Sequence, residues 1–141
     1  MIRFLVPLDG SAISGRAVEQ LLTKSSWYRE PLEIHLLNVQ SALSGDVAGF
    51  VQPEQIRQFH LEAGLKVLAP ARAKLEAAKV PHVFHIGVGE PAQVIAQYAK
   101  DKHCDQIFMS SRGLGSIAGI VLGSVTTKVI HLSEVPVLLV K

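Results

Sequence analysis

The sequence predicts an α/β fold in three layers, with a parallel five-stranded sheet covered by helices on both faces. Short apolar runs alternate along the chain with segments of helical period. The runs are apolar almost throughout, which is typical of strands buried on both faces of a parallel sheet. Right-handed crossovers leave few topologies, and strand order 3-2-1-4-5 is the one we expect. The 141 residues fit one domain, residues 1–141.

Each predicted element follows from its local pattern. Ser11 is placed to cap the first helix. Pro70 lies inside the long helical segment and should kink or split that helix near Leu68, because proline removes a backbone donor. The elements are predicted in this order: strand 2–8, helix 11–25, strand 32–40, loop 41–52, helix from 53, strand 80–88, helix 91–102, strand 105–111, glycine-rich loop, helix 124–132 and strand 135–141.

The composition excludes several classes of protein. Hydrophobic residues make up 48% of the chain and charged residues 18%, which suits a packed core and not a disordered chain. A net charge of +2 with interspersed signs gives no footprint for nucleic acid or a membrane surface. Cys104 is the single cysteine, and we expect it to pack as a small hydrophobe in a reducing compartment. No targeting segment is visible, so a cytoplasmic location is expected.

Histidines do not predict a metal site. The chain has six of them. His82 and His85 are three apart on a predicted strand, so their side chains should point to opposite faces. The other four have no ligand spacing, and we interpret all six as surface or core residues.

The ligand of an open α/β sheet binds beyond the carboxyl ends of the strands, where the strand order reverses. In the predicted order this point lies between the first and fourth strands. Residues 7–11 and 109–124 should therefore converge there.

The glycine-rich segment 110–124 carries the strongest functional signal. Gly123-Ser124 directly precedes a predicted helix, where free N–H groups and the helix dipole favour an anion. The residues leave open the alternative of a flexible connector in which Ser124 only caps the helix. Known phosphate loops do not match, because no lysine follows Gly123 and only Gly10 lies after the first strand.

Several motifs together resemble the universal stress protein family along essentially the whole chain. That family's signature is a glycine, two residues, a glycine, nine residues, and a glycine followed by serine or threonine. Gly113, nine further residues and Gly123-Ser124 reproduce its second part. VPLDGS at 6–11, GEP at 89–91 and the closing GSVTTKVIHLSEVPVLLVK are also similar to the family.

The resemblance implies a flavodoxin-like fold of the adenine-nucleotide α-hydrolase type, with ATP bound at the switch point in many members. Asp9 also has an alternative interpretation as the cap or turn former of the first helix. The implied nucleotide-binding residues are Pro7, Asp9 and Val39 beside the adenosine, Met109, Ser110 and Gly113 on the path to the phosphates, and Gly123, Ser124, Val125 and Thr126 at the phosphates.

Ser110 departs from the family pattern, because it replaces the first signature glycine. If that position requires a left-handed backbone, serine costs about 1–2 kcal/mol, or roughly tenfold in affinity. If it requires only close approach, the Cβ narrows the cleft, and the hydroxyl could instead donate to a phosphate. Some branches of the family lack ATP, and Ser110 is the feature that favours that alternative.

The resulting hypothesis is a stress-response or signalling module that binds ATP, AMP or ADP, with Mg²⁺ bridging the phosphates of ATP. An adaptor without nucleotide, acting on an unidentified protein partner, is the alternative. We assign no catalytic residues and expect slow ATP hydrolysis at most, since no P-loop lysine or arginine finger is evident. Residues 135–141 form an apolar edge strand, which predicts a homodimer paired through that strand.

Overall fold

A central sheet of parallel strands carries helices on both faces in the computed structural model, which describes residues 1–111 and 122–141. The chain runs through β1 (Ile2–Pro7), α1 (Ala12–Lys24), a short 3₁₀ turn (Ser25–Trp27), β2 (Leu32–Gln40), α2 (Gly45–Ala48), α3 (Pro53–Ala77), β3 (His82–Val88), α4 (Pro91–Asp101), β4 (Gln106–Ser110), α5 (Ser124–Leu132) and β5 (Val137–Val140). The strand order is β3-β2-β1-β4-β5, and every pair is parallel, which confirms the predicted fold class.

The two faces of the sheet carry separate apolar cores. Phe4 and Val6 of β1 pack with α1 and α3, whereas Leu5 between them packs with α4 and α5. Successive residues of a strand point to opposite faces, so one buried strand supplies both cores. Cys104 packs in the α4 core and is 4% exposed, as predicted. Burial raises the pKa of its thiol to about 11, so the group is inert at neutral pH.

Two predictions about the region after β2 need correction. Residues 41–52 were expected to form a loop, but they contain α2, which Ser44 caps by accepting from the Val47 amide at 3.4 Å. The prediction that Pro70 splits the long helix is wrong, because α3 is continuous through it. Pro70 is exposed while Leu68 and Ala71 are buried, so the carbonyl left without a donor can be hydrated as the buried face holds the helix.

No helix within the described ranges has the length and apolar character needed to cross a bilayer.

A polar network lies under α4. His35 Nδ1 is 2.9 Å from His85 Nε2, and His35 Nε2 is 2.9 Å from Glu33 Oε1, which also accepts from Arg3 Nε at 3.1 Å. Burial, with the positive charges of His35 and Lys102 nearby, lowers the pKa of His85 to about 4. His85 therefore stays neutral over the range in which an unfolded histidine becomes charged.

We predict that this network makes the fold sensitive to mild acid. The pKa of an unfolded histidine is about 6.5, so between there and about 4 the unfolded chain binds a proton that folded His85 does not. Stability should fall as the pH is lowered through this window. A His85→Gln variant should lose less stability than wild type between pH 7 and pH 5, measured by urea unfolding.

The exposed His131 provides the matched control for this prediction. His131→Gln should keep the pH dependence of the wild type. An unchanged pH dependence in His85→Gln would show that other groups set the acid response.

Candidate functional site

The carboxyl ends of β1 and β4 lie side by side. β1 pairs with β4 through Phe4–Gln106 and Leu5–Ile107, and with β2 along its other edge. The connections from β1 and β4 then cover opposite faces of the sheet, since α1 packs in one core and α5 in the other. This is the switch point of the topology, where a crevice opens between the two connections.

The turn after β1 is held by Asp9. Its Oδ1 accepts from the Ser11 amide at 2.9 Å and from the Ser11 hydroxyl at 2.7 Å. Ser11 Oγ in turn accepts from the Ser14 amide at 3.0 Å and caps α1, as predicted. Gly10 between them has φ +90°, a conformation that favours glycine. These bonds support the turn-forming interpretation of Asp9, which is half-buried at the edge of the crevice.

Asn38 braces the end of β1 from the neighbouring strand, and the sequence analysis did not single it out. It is 3% exposed, and its Nδ2 donates to the Leu8 carbonyl at 2.8 Å. Its Oδ1 accepts from Gln40 Nε2 at 2.5 Å. A buried amide near the end of an otherwise apolar strand was the signal that could have identified it.

The β4–α5 junction, formed by residues 110–111 and 123–126, fixes the start of α5. The Ser111 carbonyl accepts from the Gly123 amide at 2.8 Å. The Ser110 carbonyl accepts from Thr126 Oγ1 at 3.2 Å. On the other side, the Ser111 amide donates to the Val140 carbonyl of β5 at 2.8 Å. The first turn of α5 is therefore attached to the sheet at two successive carbonyls.

The first turn of α5 presents backbone donors without a cap. The N-caps Ser11, Ser44 and Glu90 of α1, α2 and α4 each accept from a helix amide through their side chains. The N-cap of α5 is Gly123, which has no side chain, and no described side chain caps this helix. The alternative in which Ser124 only caps the helix is wrong, because Ser124 is its first residue. The amides of residues 124–126 and the helix dipole together favour an anion.

Ser110 does not strain the backbone. It lies in β4 and pairs with Val140 of β5, and among the described non-glycine residues only Lys79 and His103 have positive φ. The expectation that serine pays for a left-handed conformation here is wrong, because the last residue of a paired strand is extended. Ser110 is 5% exposed, so its influence on a ligand would come from the space its side chain takes.

The remaining predicted site residues divide into three groups. Pro7 is buried at the end of β1. Met109 is buried in the α4 core, and Val39 and Val125 pack against that core, so three predicted residues share one apolar cluster. Gly113 lies outside the described residues.

The sequence matches the profile of the universal stress protein family over residues 1–141. It is 32% identical over 145 residues to the universal stress protein YxiE of Bacillus subtilis, covering 99% of this chain and 98% of that protein. The structure of the protein MJ0577 of Methanocaldococcus jannaschii has TM-score 0.82 and 30% identity, covering 99% of this chain and 95% of that one.

A universal stress protein family protein from Arabidopsis thaliana, solved with AMP bound, has the same fold. Its TM-score is 0.68 and its identity 25%, covering 100% of this chain and 92% of that one.

Asn38 offers a test of how the crevice edge is held. Asn38→Leu keeps the side-chain size but leaves the buried Leu8 carbonyl without its side-chain donor. We expect the free energy of unfolding to fall by about 1–3 kcal/mol, measured by urea denaturation. Gln40→Leu removes only the neighbouring bond of a half-buried side chain and should cost less than about 1 kcal/mol. Equal losses in the two variants would contradict the bracing role.

Proposed function

This chain belongs to the universal stress protein family, and from that membership we propose that it binds an adenine nucleotide at the switch point of its sheet. The observation that carries the proposal is the uncapped first turn of α5 beside the end of β4. A phosphate there accepts from the amides of Ser124, Val125 and Thr126, with the exposed Ser124 hydroxyl as a further donor.

The adenosine lies toward β1 and β2 in this proposal. The apolar cluster of Val39, Met109 and Val125 offers a surface for the base. Pro7 ends the central strand beside it. Asp9 borders the ribose while keeping the turn before α1, so its carboxylate has both a structural and a binding role.

The physiological ligand is AMP, ADP or ATP in this proposal, and Mg²⁺ bridges the phosphates when ATP is bound. The AMP-bound relative supports the adenine nucleotide class. Neutral backbone donors at the phosphates suit a site that holds a nucleotide rather than one that cleaves it. We therefore propose a cytoplasmic stress-response or signalling module with slow ATP hydrolysis at most.

We further propose a homodimer that pairs through residues 135–141. β5 lies at one edge of the sheet, and β4 is its partner among the described strands. The carbonyls of Pro136 and Val140 accept from β4. Because strand residues alternate, Leu138 also faces β4, whereas the backbone groups of Val137 and Leu139 face the open edge. A second copy can bond to those outward groups.

The nucleotide proposal is tested by calorimetric titration of wild type and two variants with AMP, and with ATP and Mg²⁺. Gly123→Asp places a carboxylate where it can accept from the α5 amides, so it should compete with a phosphate. We expect at least about a tenfold rise in Kd, with thermal stability unchanged or raised.

Gly123→Ala is the matched control, since it adds a Cβ without an acceptor, and Gly123 has φ −71°, which alanine adopts freely. It should bind more tightly than Gly123→Asp. No heat from wild type at millimolar nucleotide, with no nucleotide released on denaturation, would instead favour the adaptor alternative.

The dimer proposal is tested by two proline substitutions in β5, each followed by light scattering. Leu139→Pro removes an outward-facing amide and should give a folded monomer. Leu138→Pro removes an amide that faces β4 and should lower the thermal stability of the fold. A dimeric, folded Leu139→Pro protein would show that the subunits pair elsewhere.

A further inference from the structure

The hydroxyl of Thr126 points into the protein. Thr126 is 2% exposed, and its Oγ1 donates to the Ser110 carbonyl, 16 residues earlier, at 3.2 Å. A hydroxyl has one proton to donate, so this bond uses the donor that the side chain could otherwise offer to a phosphate. The side chain of Thr126 therefore has a different task from the backbone amide of the same residue.

The bond makes one half of a two-point attachment. The Gly123 amide donates to the Ser111 carbonyl at 2.8 Å, next to the carbonyl that Thr126 engages. Gly123 and Thr126 are three positions apart, close to one helical turn. One bond alone would let α5 pivot about it. Two bonds to successive carbonyls fix both the distance of α5 from β4 and its rotation about its own axis.

This attachment decides where the phosphate donors stand. The amides of Ser124 and Val125 lie between the two attached residues, so their direction follows the orientation of this one turn. Ser110 and Met109 belong to β4, which borders the adenosine end of the crevice. A ligand that spans both ends needs the spacing between α5 and β4 to be set before it binds, since small displacements of preorganised donors lose affinity.

We infer that Thr126 is a positioning residue, whose hydroxyl sets the nucleotide affinity of the site by holding the first turn of α5 against β4. The inference rests on the proposed function, because it concerns the same site. It removes the Thr126 hydroxyl from the set of phosphate contacts and leaves its amide there.

Thr127 supplies a matched control one residue away. It carries the same side chain on the same turn, but it is exposed, and its Oγ1 donates to the Gly123 carbonyl within the helix at 3.0 Å. Replacing Thr127 by valine removes a hydroxyl and a hydrogen bond without touching β4. A general effect of valine in this helix would act equally at both positions.

The experiment measures the Kd of AMP by calorimetry, at a temperature where circular dichroism shows each variant folded. Thr126→Val keeps the side-chain shape and loses the donor, and its Kd should rise at least about tenfold. Thr126→Ser restores the donor and should stay within about threefold of wild type, and Thr127→Val within about twofold. Thr126→Cys, a weaker donor, should fall between, and its comparison with Thr126→Ser decides if Thr126→Val does not fold.

A role in stability alone predicts a lower melting temperature with an unchanged Kd in the folded protein, and that result overturns the inference. Equal losses in Thr126→Val and Thr127→Val also overturn it. Hydrogen exchange without ligand adds a second readout, in which the Gly123 amide should exchange faster in Thr126→Val only. If wild type does not bind AMP or ATP, the proposed function fails and the affinity role of Thr126 fails with it. Binding by wild type with equal binding by Thr126→Val rejects the positioning role alone.

Discussion

The site depends on one constraint: a helix that begins with glycine must satisfy its first amides from outside its own side chains. Gly123 leaves the amides of residues 124–126 without a described side-chain cap, whereas Ser11, Ser44 and Glu90 cap α1, α2 and α4. Unpaired amides at a helix start are costly when buried and favourable when an anion accepts from them. The family relationship and the fold identify an adenine nucleotide as the anion that fits this position.

The sheet gives that helix start its surroundings. β1 is central, so its carboxyl end meets β2 on one side and β4 on the other. Asn38 fixes the β1 end from β2, and Thr126 fixes α5 to β4, so both borders of the crevice are held by side chains that bond to backbone carbonyls. A crevice held in this way can accept a ligand with little loss of backbone freedom, which favours affinity.

Much of this could be predicted from the sequence, because its signals are local. The bounds of β2 and α5 follow from a continuous apolar run and from a glycine before a periodic segment. The brace from Asn38 to Leu8 and the bond from Thr126 to Ser110 could not, since they join residues 30 and 16 positions apart. The path of α3 through Pro70 was missed for a related reason, because packing of Leu68 and Ala71 outweighs one lost hydrogen bond.

The most direct measurement follows the backbone amides of α5 by nuclear magnetic resonance while AMP is added. The account predicts that the amide resonances of Ser124, Val125 and Thr126 shift most among the described residues, and that all three saturate with one Kd. Amides of α4, which Glu90 caps, should move little. Saturable binding of AMP with the three α5 resonances unmoved would contradict the central claim.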